Sequence, residues 1–260
     1  MTDQPVRTEA DGDVWRVALD SAGTGNAVDP AMAAALGEAL RVRPTQARAV
    51  LLLAEGERFC VGGDVRGFAA AADPGAEVGR LAAGWHEVVR TLLACPVPVV
   101  AGVHGAVAGA GVGLLGACDV VVCARSTRIR PAYAAIGFSP DGGTSWTLAH
   151  ALGPARALDL VLTNGTLDAA EAHACGLVAR VVADDELRAA AAELAQALAA
   201  GPVRAMVRTR ALVRGAAVRT LDEHLDEEAR LIGESAGDPE GQEGVRAFVE
   251  KRRPDFRSAR

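Results

Sequence analysis

The chain has 260 residues, half of them hydrophobic, and a formal net charge of −6. This length fits one large domain, or one domain with an appendage, that buries a sizeable core. The acidic balance and the absence of a long basic stripe argue against nucleic-acid binding, because phosphate contacts need a basic face.

The first half of the chain predicts strands that alternate with helices. Residues 14–19 alternate as a strand does, and Asp29-Pro30 is typical of the N-cap and first position of a helix that runs to about Val42. Further elements follow in the same order: a buried strand at 47–54, a helix at 76–93, a strand at 97–103, a short helix after a run of glycines and a strand at 120–124. This alternation predicts α/β architecture with mostly parallel pairing.

From Asp184 onward the pattern is helical throughout. The apolar periodicity predicts a long helix near 189–198 and further helices between Pro202 and Glu250. The sharpest change in sequence pattern along the chain lies near Ala200-Gly201-Pro202. We therefore expect an α/β core over residues 1–200 and a C-terminal helical region over 201–260.

The cysteines predict a reducing compartment, and the cytoplasm is the expected location. They lie in apolar surroundings, lack CxxC spacing and follow no secretory leader, which favours reduced thiols over disulfides or a metal site. The five are Cys60, Cys95, Cys118, Cys123 and Cys175. The apolar stretch 97–124 is not expected to span a membrane, because His104, Asp119 and several glycines interrupt it.

The segment from His104 to Leu114, HGAVAGAGVGL, has no polar side chain between His104 and Asp119. Any chemistry there must use the backbone, and glycine lets a backbone approach a ligand closely. Residues 111–116 match GxGxxG, but a dinucleotide site also needs an acidic residue about 20 positions on, and no acid lies between Asp119 and Asp141. The segment therefore predicts an anion or oxyanion cradle rather than a dinucleotide site.

A second motif, GESAG at 233–237, matches the GxSxG of serine hydrolases. No strand precedes it, and the last histidine of the chain, His224, lies before it, whereas such a triad needs a later histidine. The favoured interpretation is the C-terminal end of a helix.

Three motifs stand in order along the chain: FCVGGDV at 59–65 after a buried strand, the glycine segment at 104–114, and GFSPDGGT at 137–144. With them the sequence resembles the enoyl-CoA hydratase/isomerase (crotonase) family over nearly its whole length. Weaker matches to the family are Asn26-Ala27, residues 162–165, residues 174–178 and residues 243–252.

The resemblance implies a spiral of ββα repeats followed by a C-terminal helical region that forms homotrimers, commonly paired into homohexamers. It also implies acyl-CoA thioester substrates that react through an enolate-like intermediate. Coenzyme A is then part of the substrate, and no separate cofactor, membrane partner or nucleic acid is expected. By the same resemblance, the backbone amides of Gly63 and Ala110 form the oxyanion hole, which stabilises negative charge on the thioester oxygen.

The departures from the family pattern bear on the reaction. Family hydratases carry two glutamates, and their positions fall on Gly113 and, less certainly, on Tyr133. Because hydration needs a base for water and an acid for the α-carbon, these replacements argue against ordinary hydration.

Asp141 is the remaining candidate for acid/base catalysis, and it resembles the carboxylate of family members that isomerise double bonds. The local pattern alone favours a different interpretation, in which Asp141 is the N-cap of the helix that runs through Trp146 to Ala151. The resemblance favours the catalytic interpretation.

The resemblance also implies contacts to coenzyme A. The loop after the first oxyanion amide would hold the adenine, and a C-terminal phenylalanine and lysine, often from a neighbouring subunit, would hold the pantetheine and phosphate. These positions correspond to Cys60, Val61, Gly62, Asp64, Val65, the nearby Arg66, Phe248 and Lys251.

Three hypotheses stay open at this point. The first is an isomerase that shifts a C=C bond, with Gly63, Ala110 and Asp141 as the catalytic residues. The second is a hydratase, lyase or hydrolase that acts on an unusual acyl group with Asp141 and water. The third is a catalytically silent acyl-CoA binder. Whether Tyr133 or His104 contributes to the site is also open, although a core or turn histidine is the favoured interpretation of His104.

Overall fold

The computed structural model describes residues 4–259. Its strands are β1 (Val6–Asp11), β2 (Val14–Leu19), β3 (Ala49–Ala54), β4 (Val99–Val103), β5 (Ala106–Ala108), β6 (Val120–Ala124), β7 (Arg128–Arg130), β8 (Leu167–Asp168) and β9 (Arg180–Val182). Its α-helices are α1 (Pro30–Arg41), α2 (Val65–Ala70), α3 (Pro74–Leu93), α4 (Ala110–Ala117), α5 (Thr144–Leu152), α6 (Pro154–Leu162), α7 (Ala169–Ala174), α8 (Leu187–Ala200), α9 (Val203–Gly215), α10 (Leu221–Gly237) and α11 (Pro239–Val249).

The main sheet has the strand order β1-β2-β3-β4-β6-β9. Only the β1–β2 hairpin is antiparallel, and Gly12 turns it with a φ of +59°. The pairs β2–β3, β3–β4, β4–β6 and β6–β9 are parallel. The predicted α/β architecture with mostly parallel pairing is therefore confirmed.

Both faces of this sheet are covered, as a parallel sheet requires. Because side chains alternate along β3, Val50 and Leu52 join the larger core cluster, which also contains residues of α1 and α3. Ala49 and Leu51 join a second cluster that is completed by α8. The alanine stripe of α8 (Ala191, Ala195 and Ala199) recurs every fourth residue and is fully buried there.

A smaller sheet, with the order β5-β7-β8, lies beside the first. The chain reaches it directly after β4, and an isolated parallel bridge between Cys60 and Val107 ties the loop after β3 to β5. The segments that follow the carboxyl ends of β3 and β4 are therefore held next to each other. These are the two glycine-rich loops of the sequence analysis.

The C-terminal helices are fastened to the core by arginines. Arg210 and Arg214 each place a guanidinium nitrogen 3.0 Å from a carboxylate oxygen of Asp119, in the segment before β6. Asp119 also accepts the Val99 amide proton at 2.8 Å. On another side of the core, Arg48 forms a buried ion pair with Glu240 of α11 at 3.1 Å.

We expect Asp119→Ala to lower the free energy of unfolding by about 1.5–3 kcal/mol, because hydrogen bonds to a largely buried charge are lost and two arginines lose their carboxylate partner. Urea denaturation measures this change. Asp159→Ala, on the exposed face of α6, should stay within about 0.5 kcal/mol of the wild type. Equal midpoints for the two variants would contradict the role given to Asp119.

The remaining sequence features have structural explanations. In the described part of the chain no helix combines the length and apolar character needed to cross a membrane.

All five cysteines are free thiols, and burial raises the pKa of Cys60 to about 11 and that of Cys118 to about 12. The GESAG motif lies at the end of α10, which ends at Gly237, as expected.

Candidate active site

A cavity of about 780 Å³ opens between α3, the N-terminus of α4 and the segment before α5. Most of its lining is apolar, for example Val28, Phe68, Val78 and Ile136. Such a size and lining are typical of a small-molecule site. Among the lining residues that the structure describes, Asp141 alone carries a charged side chain.

The two glycine loops meet at one wall of this cavity. Gly62 (φ +86°) and Gly109 (φ +52°) adopt left-handed conformations that favour glycine. A Cβ at Gly62 would lie 3.0 Å from the carbonyl oxygen of Ala108 and 3.1 Å from the Cα of Gly109. The loops therefore contact each other backbone to backbone, and only glycine permits this approach.

This contact brings the amides of Gly63 and Ala110 to the same cavity, which both residues line. Ala110 is the first residue of α4, so its N–H has no acceptor within the helix. Gly63 lies between two backbone bonds to Val28, one accepted by Gly62 and one donated by Asp64. Within the described part of the chain neither amide donates to another backbone group. Two backbone donors are thus available at one wall of the cavity.

Asp141 is held on the cavity wall by a buried hydroxyl network. The Tyr133 hydroxyl donates to Oδ1 of Asp141 at 2.6 Å and lies 3.3 Å from Oγ1 of Thr144. The Thr144 hydroxyl in turn donates to the carbonyl of Gly109 at 3.0 Å. The carboxylate is therefore connected to the loop that carries the Ala110 amide.

The N-cap interpretation of Asp141 is wrong. Helix α5 begins at Thr144 after Gly143, and no side chain caps its first turn. Gly142 and Gly143 both have positive φ, +60° and +82°, and this turn directs the Asp141 side chain to Tyr133. The carboxylate thus does not cap α5 and lies on the cavity wall.

A model of the enoyl-CoA hydratase/isomerase family matches residues 9–259 of this chain. The chain belongs to the enoyl-CoA hydratase/isomerase family. It is 35% identical over 98% of its length to a protein of Rhodobacter capsulatus named as a probable enoyl-CoA hydratase, of which 99% is covered. It is 36% identical to the 1,2-epoxyphenylacetyl-CoA isomerase of Escherichia coli, with 89% of this chain and 90% of that protein covered.

The fold is likewise that of this family. A solved enoyl-CoA hydratase from Polaromonas sp. JS666 matches with a TM-score of 0.91 at 32% identity, covering 96% of this chain and 98% of that one. One from Mycobacterium smegmatis matches with a TM-score of 0.89 at 30% identity, covering 97% and 98%. The crotonase architecture predicted from the motifs is therefore confirmed.

This family member has no room for an acidic side chain at position 113. A Cβ on Gly113 would overlap the carbonyl oxygen of Gly142 and lie 2.8 Å from its carbonyl carbon. One turn later, a Cβ on Gly116 would overlap the Thr147 hydroxyl of α5. The glycines that imitate a dinucleotide motif therefore let α4 pack against the turn that carries Asp141.

Helix α3 contributes two residues that the sequence analysis did not single out. Trp85 is 1% exposed, lines the cavity and donates from Nε1 to the Ala110 carbonyl at 3.4 Å. The Nε2 of His86 accepts the Gly142 amide proton at 3.1 Å. The apolar periodicity predicted this helix, but it gave no sign that Trp85 and His86 face the turn after Asp141.

Tyr133 lines the cavity beside Asp141. It is 8% exposed, and burial, together with the negative charge of Asp141, raises the pKa of its phenol above the usual value. His104 lies outside the cavity, in the turn after β4, where its Nε2 is 2.9 Å from the Gly56 carbonyl. Of the two structural interpretations of His104, core or turn, the structure has the turn.

Only some of the residues predicted to contact coenzyme A line the cavity. Val61, Gly62 and Val65 line the cavity. Asp64 caps α2 by accepting the Arg66 amide proton at 3.1 Å, and Arg66 is exposed.

Cys60 is fully buried, and its side chain faces Gly111 of α4. Phe248, which is 85% exposed, and the exposed Lys251 lie at the end of α11 and do not line the cavity of their own chain.

Proposed function

We propose that this protein is an acyl-CoA isomerase that shifts a C=C bond. The Gly63 and Ala110 amides would hold the thioester oxygen, and Asp141 would carry the proton. The observation that carries this proposal is the arrangement around position 113: the Gly142 carbonyl occupies the space that a glutamate side chain needs, which leaves Asp141 as the acid/base group of the cavity.

The proposed reaction needs one proton carrier. The Asp141 carboxylate removes a proton from C2 of a 3-enoyl thioester, and the electron pair delocalises over the dienolate and its carbonyl oxygen. The same carboxyl returns the proton to C4, so that the double bond moves from C3–C4 to C2–C3 and nothing is gained or lost. Each backbone donor to the oxyanion supplies about 2.7–4 kcal/mol by comparison with other oxyanion holes.

The cavity supports this chemistry in a second way. Its apolar wall suits an acyl chain, and apolar surroundings strengthen the hydrogen bonds to the oxyanion. The names of the relatives, one a hydratase and one an isomerase, do not decide between the reactions. The residue at 113 favours isomerisation.

Product analysis separates the three hypotheses. The purified protein is incubated with a 3-enoyl-CoA, and the products are followed by mass spectrometry and by the ultraviolet absorbance of the conjugated thioester. The proposal expects conjugation with unchanged mass. A gain in mass of one water favours a hydratase, free coenzyme A favours a hydrolase, and tight binding without any product favours a silent binder.

We also propose that the protein forms homotrimers or homohexamers in which Phe248 and Lys251 reach a neighbouring subunit's acyl-CoA. The support is the apolar end of α11, where Val245, Phe248 and Val249 are 64%, 85% and 73% exposed. Apolar side chains exposed together mark an interaction surface.

Phe248→Asp should therefore lower the mass in solution to that of a monomer and raise KM for acyl-CoA about tenfold or more, because a central apolar anchor is lost. Light scattering and steady-state kinetics measure the two effects. Val42→Asp, which changes an exposed valine at the end of α1, should alter neither. A wild-type protein that is itself monomeric would contradict the proposal.

A further inference from the structure

The hydroxyl of Tyr133 has more acceptors than it has protons. It lies 2.6 Å from Oδ1 of Asp141, 3.1 Å from the Asp141 carbonyl oxygen and 3.3 Å from Oγ1 of Thr144. A phenol carries one proton and can accept in return. Which neighbour receives the proton therefore depends on the neighbours' own protons.

The hydroxyl proton of Thr144 is already used in a hydrogen bond. Thr144 is fully buried, and its hydroxyl donates to the Gly109 carbonyl at 3.0 Å. Its oxygen is therefore an acceptor toward Tyr133. The Asp141 carbonyl, 3.1 Å from the phenol oxygen, is a second acceptor.

Two proton arrangements satisfy this network. When the Asp141 carboxylate is charged, the phenol donates to Oδ1. When the carboxyl is neutral, its O–H donates to the phenol oxygen, and the phenol proton turns to Thr144 or to the Asp141 carbonyl. Neither arrangement leaves a buried hydroxyl proton without an acceptor, which would be costly in a buried network.

The phenol itself stays protonated throughout. Its pKa is raised by burial first and by the charge of Asp141 second, so Tyr133 is a donor and not a base. Within the described chain, Oδ2 of Asp141 has no hydrogen-bond partner, while Asp141 lines the cavity. Oδ2 is the oxygen that remains for a substrate.

We propose that Tyr133 is a positioning residue for Asp141, whose hydroxyl turns between Oδ1 and the Thr144 side as the carboxyl loses and gains the transferred proton. The inference rests on the proposed function, since it assigns the proton to Asp141. The Tyr133 hydroxyl would hold the carboxyl in one position in both of its protonation states and would leave Oδ2 for the substrate.

One other titratable group contacts this turn. His86, from α3, accepts the Gly142 amide proton through Nε2 and must be unprotonated there to do so. Apart from Asp141, no charged side chain lines the described part of the cavity. The His86→Gln variant, which offers an amide oxygen to the same N–H, therefore shows which part of a pH profile belongs to His86.

The first test is the pH profile of kcat/KM for Tyr133→Phe. This variant removes a donor to the carboxylate and so favours the neutral carboxyl, which shifts the acid limb to higher pH by about one unit. We expect kcat to fall about tenfold, and KM to change less than about twofold, because the phenol acts on the reacting group rather than on binding.

The variant Thr144→Val removes one of the two acceptors that serve the neutral state and leaves the Asp141 carbonyl, so its acid limb should not move to higher pH. A folded Tyr133→Phe enzyme with an unchanged acid limb and unchanged kcat would overturn the inference. So would acid limbs that move in the same direction in the two variants.

A second measurement needs no substitution at position 133. The chain contains a single tyrosine, so growth on 3-fluorotyrosine labels Tyr133 alone. Its fluorine NMR signal should shift over the pH range of the acid limb in the wild type and in His86→Gln, and should not shift over that range in Asp141→Asn. A signal that titrates equally in Asp141→Asn would overturn the inference.

Failure of the inference is distinguishable from failure of the proposed function. If Asp141→Asn abolishes the bond shift while Tyr133→Phe changes neither kcat nor the acid limb, the proposed function stands and the role of Tyr133 falls. If Asp141→Asn keeps full activity, the proposed function itself falls.

Discussion

Asp141→Asn should lower kcat for the double-bond shift by about 10²–10⁴-fold, the usual contribution of a positioned acid/base group. The amide has nearly the shape of the carboxylate and still offers an oxygen to Tyr133, so the turn at Gly142-Gly143 should keep its conformation. KM should change little, because the apolar wall and the two backbone amides are untouched. Steady-state kinetics with a 3-enoyl-CoA measure both parameters.

Asp159→Asn is the matched control for this variant. It makes the same chemical change on an exposed residue of α6 that does not line the cavity, and it should leave kcat and KM unchanged. Circular dichroism and thermal melting show whether both variants fold. A folded Asp141→Asn enzyme with full activity would show that another group is the base.

The second large effect is expected at Gly113. In Gly113→Ala the new Cβ overlaps the Gly142 carbonyl oxygen, and backbone cannot give way as a flexible side chain can. We expect a loss of about 1–3 kcal/mol in the free energy of unfolding, as for other overpacked sites. Because the displaced turn carries Asp141, kcat should fall as well. Gly113→Glu should be less stable still and should not gain hydratase activity.

Gly84→Ala provides the control for Gly113. Gly84 lies on the exposed face of α3, and a Cβ there meets nothing within 4 Å. The same substitution should raise stability there by up to about 1 kcal/mol, because alanine favours the helix. Denaturant midpoints that move in the same direction in both variants would contradict the steric account of position 113.

Long periodic segments made most of the fold predictable. The cap Asp29 and the proline after it predicted α1, and the structure shows the Asp29 carboxylate accepting the Met32 amide proton at 2.7 Å. The short strands β5, β7 and β8 were not predicted, because two or three residues carry no usable periodicity. The hairpin strand β1 was also missed, since it is largely exposed and has little apolar alternation.

Some features of the candidate site could also be predicted from the sequence, and others could not. The glycine loops indicated a close backbone approach, and the family resemblance, rather than the glycine pattern, implied that the amides of Gly63 and Ala110 come together there. The local pattern around Asp141 indicated a helix cap and was wrong, because two successive left-handed glycines redirect the chain after it. The contacts of Gly113, Trp85 and His86 with residues 110 and 142 join distant parts of the chain, so no local pattern could show them.

Deuterium transfer from D₂O tests the central claim most directly. Wild-type protein is incubated with a 3-enoyl-CoA in D₂O, and the position of deuterium is read by NMR and mass spectrometry. Because the Asp141 carboxyl exchanges its proton with solvent during repeated removal and return, the account predicts deuterium at C2 and C4 together with the bond shift, and loss of both in Asp141→Asn. Water adducts in place of exchange, or exchange that is equally fast in Asp141→Asn, would contradict it.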